Sequence, residues 1–132
     1  MLDEAEEINR GVLKALENIL GPEHSDTLYS LSSLRVILEV QGKYEEAVEI
    51  HRNVIHGREK VLGPEHPNTF ESLWHLADSL RQQKKYTDAA KCYTRAYSGL
   101  KKVFGDGHPS TILCRRNHLE MLEEMERSDL NP

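Results

Sequence analysis

Apolar residues recur along this chain at helical spacing. Leu28, Leu31, Leu34 and Leu38 form one stripe, and Phe70, Leu73, Leu76, Ala77 and Leu80 form its counterpart. Steps of three and four place each set on one face of an α-helix. A second kind of stripe follows each of these: Tyr44, Ala47, Val48, His51, Val54 and Ile55, then Tyr86, Ala89, Ala90, Tyr93, Ala96 and Tyr97. No segment alternates apolar and polar residues as a half-buried strand does. The fold class predicted is all-α, with a helical domain over residues 1–126. It holds six antiparallel helices, at about 2–20, 27–41, 44–62, 69–83, 86–104 and 111–125, and residues 127–132 are expected to form a frayed tail.

The stripes share one period. LGPEHSDT begins at Leu20, LGPEHPNT at Leu62 and FGDGHPST at Phe104, so Gly21, Gly63 and Gly105 stand 42 residues apart, as do His24, His66 and His108. GKYEEA at Gly42 and KKYTDA at Lys84 repeat with the same period, and LDEA at Leu2 is a fainter copy. Asp26, Asn68 and Ser110 occupy one phase before each first-type (A) helix and are expected as N-caps. Pro67 and Pro109 precede two of them and stop the helix before. Gly21, Gly63 and Gly105 follow the second-type (B) helices, where left-handed residues end helices. Gly42 ends an A helix in the same way, and Lys84 takes that phase in the next repeat, at about 1 kcal/mol if left-handed. The chain reads as two A–B pairs flanked by a leading B helix and a trailing A helix.

These residues resemble the tetratricopeptide repeat family. The 42-residue period and the LGPEHPNT loop are similar to the branch that includes kinesin light chains, nephrocystin-like proteins and the arrays behind nucleotide-binding domains in fungal and bacterial innate-immunity-like receptors. The resemblance implies a right-handed superhelical solenoid with A helices on its concave side. It also implies a protein-interaction module within a larger adaptor, motor–cargo or receptor protein. Arg35, Arg115 and His118 depart from the family's small or leucine positions, so the last A helix resembles a terminal cap. The leading B helix lacks an A helix of its own, and the array is expected to continue before Met1.

On that reading the residues half a turn from each buried A stripe face the groove. They include Tyr29, Ser32, Ser33 and Val36, then Trp74, His75, Asp78 and Arg81, then Leu113, Arg116, Asn117 and Glu120. They are the candidate binding residues for a peptide or protein segment. Trp74, the one tryptophan, is either an interface anchor or a filler between A helices. The family's clamp for a terminal carboxylate uses Lys and Asn at fixed phases. Ser32, Val36, Trp74 and Asp78 stand there and cannot supply it.

Composition narrows the function classes. The formal net charge is -5 and 30% of residues are charged, which gives no pull toward nucleic acid or anionic membrane. The start MLDEAEEINR is no secretory signal. Cys92 and Cys114 form no metal-ligand pattern and are expected as reduced thiols. His24, His66 and His108 recur with the loop, which favours structure over ligation. His51 and His56 are five apart and do not share a helix face as a zinc pair does, and His51 is expected as a partly buried core residue. GxxxxGK(S/T), GxGxxG, HExxH and GxSxG are all missing. The expectation is a cytoplasmic, non-enzymatic binding module with no cofactor and no metal. The alternative is a self-assembling scaffold that associates through Ile8, Val12 and Leu16 on the leading helix.

Overall fold

The computed structural model describes residues 1–130. Six α-helices run in chain order: α1 (Leu2–Leu20), α2 (Ser25–Val40), α3 (Tyr44–Leu62), α4 (Pro67–Gln82), α5 (Tyr86–Phe104) and α6 (Pro109–Leu130). The B helices α1, α3 and α5 match the expected bounds. The A helices α2, α4 and α6 each begin two residues early. α6 also runs through positions 127–130, where a frayed tail was expected, because no glycine or proline interrupts it there. Positions 131–132 of that tail lie outside the described residues.

The early starts have one cause. The caps are His24, His66 and His108 rather than the expected Asp26, Asn68 and Ser110. In all three loops the histidine Nδ1 accepts the backbone N–H two residues on, at 3.1 Å. Each histidine carbonyl accepts the first helical bond, from Leu28, from Thr69 or from Ile112. The imidazole therefore satisfies a donor that every helix start leaves orphaned. Pro67 and Pro109 sit inside the helix at its first position, where a missing N–H costs nothing. Thr27 and Thr69 tie the loop shut by donating to the carbonyls of Gly21 and Gly63, at 2.8 and 3.0 Å. The glycines themselves have φ 91, 99 and 88° with ψ near 160°, an extended glycine conformation rather than the expected left-handed helical one.

The chain divides into two compact units, Met1–Thr69 and the residues from Phe70 onward. In the first, α1 and α3 both pack on α2. Leu34 and Leu38 of α2 meet Ala47, Ile50 and Val54 of α3 and Leu13 of α1, with Leu31 at the edge. The sequence reading overlooked Leu13. Leu16 is half-buried, while Ile8 and Val12 are exposed as expected. Glu6 of α1 binds Arg10 at 2.8 Å and Lys43 at 3.0 Å, and these cations lower its pKa to about 2. His51 is fully buried and bonds Glu39 at 3.1 Å. Glu39 also pairs with Arg35 at 3.2 Å, which lets an arginine stand at a position expected to be small.

In the second unit α5 packs on α6. Leu73, Leu76 and Leu80 of α4, Tyr93, Ala96 and Leu100 of α5, and Cys114 and Met121 of α6 are buried. The Phe70 ring lies over Gly99, so close that a Cβ there would land on the ring. Leu28 lies over Gly57 in the first unit, where a Cβ would come within 2.7 Å of its Cδ2. This helix contact repeats at 42 and was legible in the sequence, but it was not read.

Candidate functional site

Of the groove candidates, Tyr29, Ser32, Ser33 and Val36 all lie on α2. Tyr29 is 72% exposed and Ser33 donates to its carbonyl at 3.2 Å. Trp74, His75, Asp78 and Arg81 lie on α4, and Leu113, Arg116, Asn117 and Glu120 on α6. The structure brings some of the α4 and α6 set together. Arg81 donates through Nε to both Glu124 carboxylate oxygens at 3.1 Å, and through Nη1 to the Asn117 carbonyl at 3.4 Å. Its Nη2 bonds Glu124 as well and reaches Glu120 at 3.7 Å. The bond to Arg81 lowers the pKa of Glu124.

Asp78 was expected as a plain groove-facing carboxylate. It is instead half-buried and acts as an acceptor hub. The buried Tyr93 hydroxyl donates to its Oδ1, and Asn117 Nδ2 does so at 3.4 Å. Burial raises the Asp78 pKa above its ordinary value, against the pull of the Tyr93 bond and nearby cations. Burial, reinforced by Asp78, pushes the Tyr93 phenol well above its usual range. The Cys114 thiol rises to about 12, first through burial and then through the Asp78 charge. A thiol so far from ionisation is a poor nucleophile. His118 stacks on Tyr93 with centroids 5.2 Å apart, and burial lowers its pKa. It therefore belongs to the packing, where a polar outer face was expected. Both cysteines are free.

Beside this cluster lies a cleft of about 480 Å³, lined by Asp78, Arg81, Gln82, Lys84, Tyr86, Asn117 and Glu124. Its walls offer donors and acceptors of both signs. On the same helix, Trp74 stacks on His75 at 5.6 Å and 9°, and its indole Nε1 is buried without a hydrogen-bond partner. Arg116 is not part of this cleft. It lines a separate one of about 230 Å³ with Tyr97, Asp106, Thr111, Ile112, Arg115 and Leu119. Leu113 is part-exposed and lines neither. Among the described residues no group of three or more His, Cys, Asp or Glu is gathered as a metal site, and no helix is long and apolar enough to cross a membrane.

Sequence reasoning missed Tyr86, Lys84, Gln82 and Glu124 as cleft residues. Tyr93 held the usable signal, because a tyrosine at a core phase needs a partner for its hydroxyl.

A family profile described as tetratricopeptide repeat matches residues 36–102 and 70–130. No curated protein matches the chain. Two crystal structures of Podosopora anserina kinesin light chain nearly identical TPR-like repeats, one of a single-residue variant, share its fold with a TM-score of 0.81 at 24% identity. The likeness covers 91% of this chain and 57% of theirs, so the chain spans just over half their length. The fold is thus a helical solenoid of the kinesin light chain repeat type. The 42-residue period, the histidine-capped loops and the profile matched over most of the sequence agree that this chain belongs to the tetratricopeptide repeat family, whose members are protein-interaction modules.

Proposed function

We propose that the chain binds a segment of another protein across the α4–α6 face of its second unit, without catalysing a reaction, as part of a larger cytoplasmic adaptor, motor–cargo or receptor protein. The observation that carries this reading is the cleft between Asp78, Arg81, Asn117 and Glu124. Three of those four residues come from phases that the repeat pattern assigns to a binding groove. The cleft volume falls within the common range for ligand sites, about 300–1,000 Å³. Its mixed charges suit a polar peptide stretch, and Trp74 and His75 offer an aromatic surface one turn away. The net charge of -5 supports a protein partner over nucleic acid or an anionic membrane. The kinesin light chain likeness supports an adaptor or motor–cargo setting.

Quantitative affinity capture tests it. Trp74→Ala and Arg81→Ala are expected to weaken retention of the partner by about thirtyfold, the effect of losing one hot spot of about 2 kcal/mol. Glu49→Ala on α3 is expected to change nothing. The reading fails if both α4 variants keep wild-type retention with an intact helical circular-dichroism signal.

A further inference from the structure

The donors and acceptors of the α4–α6 cleft are not equally committed. Each carboxylate on its wall already accepts hydrogen bonds: Asp78 from Tyr93 and Asn117, and Glu124 from Arg81. Lys84, Tyr86 and Gln82 line the same cleft, and their side chains bond no described residue. Arg81 has a second anchor besides Glu124, because its Nη1 donates to the Asn117 carbonyl at 3.4 Å. What the cleft has to spare is therefore hydrogen-bond donors, one of them the ammonium of Lys84.

Lys84 stands there at a cost. Its backbone is left-handed, with φ 62°, at the phase where the first pair has Gly42 with φ 81°. Glycine avoids that penalty, and strain of this kind clusters at ligand-binding residues. Glu124, meanwhile, sits on the Arg81 guanidinium as an acidic ligand would, and it is 34% exposed, so it can leave into water. Because Glu124 is tethered, an incoming carboxylate exchanges one single charge for another and loses to its effective concentration. A phosphate monoester brings about −2 charge at neutral pH and three acceptor oxygens. It matches the Arg81 fork and leaves charge over for Lys84. Two carboxylates oppose it. Asp78 is covered by its Tyr93 and Asn117 donors, and Glu120, 3.7 Å from Arg81 Nη2, is half exposed to water.

We propose, resting on the docking of a protein segment across α4 and α6, that this cleft takes a phosphorylated side chain of that segment. Arg81 and Lys84 hold the phosphate, Tyr86 donates its hydroxyl, and Glu124 is the internal stand-in that the phosphate displaces. Glu124 then acts as a brake. It keeps the guanidinium occupied until a group of higher charge arrives, so the unmodified segment binds more weakly than the phosphorylated one.

The test is an NMR titration of the 132-residue chain with the peptide Gly-Gly-phosphoserine-Gly-Gly and with its serine and glutamate counterparts. The phosphopeptide is expected to shift the Arg81 Nε–H and Lys84 backbone signals saturably, the glutamate peptide to bind at least fivefold more weakly, and the serine peptide not to bind. Glu124→Gln is expected to tighten phosphopeptide binding about fivefold, the effect of removing one competing exposed ion pair. Lys84→Gly, which relieves the backbone rather than straining it, is expected to weaken binding about fivefold with circular dichroism unchanged. No saturable shift up to about 10 mM peptide overturns the proposal, since that is weaker than ordinary specific association. So do equal affinities for the phosphoserine and glutamate peptides, wild-type affinity in Lys84→Gly, or weaker binding in Glu124→Gln. Binding to vesicles containing phosphatidic acid without binding to the phosphopeptide overturns it too, in favour of a lipid headgroup. None of these outcomes touches the docking reading, which falls only if Trp74→Ala and Arg81→Ala keep wild-type retention of the partner.

Discussion

The two complete helix pairs, α2–α3 and α4–α5, follow one period yet settle the same buried polar position differently. Position 51 is His51 and position 93 is Tyr93, 42 residues on, and both side chains are buried. In the first pair His51 bonds Glu39, which also binds Arg35. In the second, Tyr93 bonds Asp78, which also accepts from Asn117 of α6, while Arg81 binds Glu124 of α6. The repeat dictates where a polar tip is buried. With tyrosine at that position, the network reaches Asn117 and Glu124 of the next helix. The polar cleft lies beside this second network.

Three pairs of substitutions sharpen the contrast. Gly99→Ala is expected to have the largest effect. An alanine Cβ would meet the rigid, buried Phe70 ring, and overpacking of this kind costs about 3 kcal/mol, more than alanine gains in helix propensity. Gly57→Ala meets only the end of a leucine and is expected to stay within about 1 kcal/mol of wild type. Chemical denaturation of both variants checks the pair.

Asp78→Leu comes next. It leaves the Tyr93 hydroxyl buried without an acceptor, at about 2 kcal/mol. Asp78→Asn keeps an acceptor and is expected to cost less than about 1 kcal/mol. The sign with pH follows from the raised pKa. The folded state holds the Asp78 proton more tightly than the unfolded chain, so this group's stabilising share is full at low pH and is lost as pH rises through the raised value. Asp78→Asn should remove that loss, as denaturation across an acid-to-neutral series will show.

The smallest effect concerns the A-helix ends. Gly42 has φ 81° and Lys84 φ 62°, and both are followed by an N–H bonded back to Leu38 or to Leu80. Lysine pays a steric penalty there that glycine avoids. Lys84→Gly is expected to stabilise the chain by about 1 kcal/mol in thermal melts, and Gly42→Lys to destabilise it by a similar amount.

The architecture was legible because period and stripe report directly on packing. Leu28, Leu34 and Leu38 are buried where their spacing put them, and Lys84 took the left-handed conformation that its phase implied. The caps were misread because propensity favoured Asp26, Asn68 and Ser110, while histidine is a rare cap whose ring reaches the same N–H. The cleft was half legible. A helical wheel placed Asp78, Arg81, Asn117 and Glu120 on one side, but it could not show Tyr93 reaching Asp78 or Arg81 choosing Glu124. Arg116 and Asn117 are adjacent on α6, yet they line different clefts, a separation that a count of half-turns blurs.

The claim that a partner docks on the α4–α6 face is tested most directly by site-specific photocrosslinking. A photoreactive residue replaces Gln82, exposed in the cleft, or Glu49, exposed on α3. The expected result is a covalent adduct with the partner from position 82 and none from position 49. Adducts from position 49 alone, or equally from both, would contradict the account.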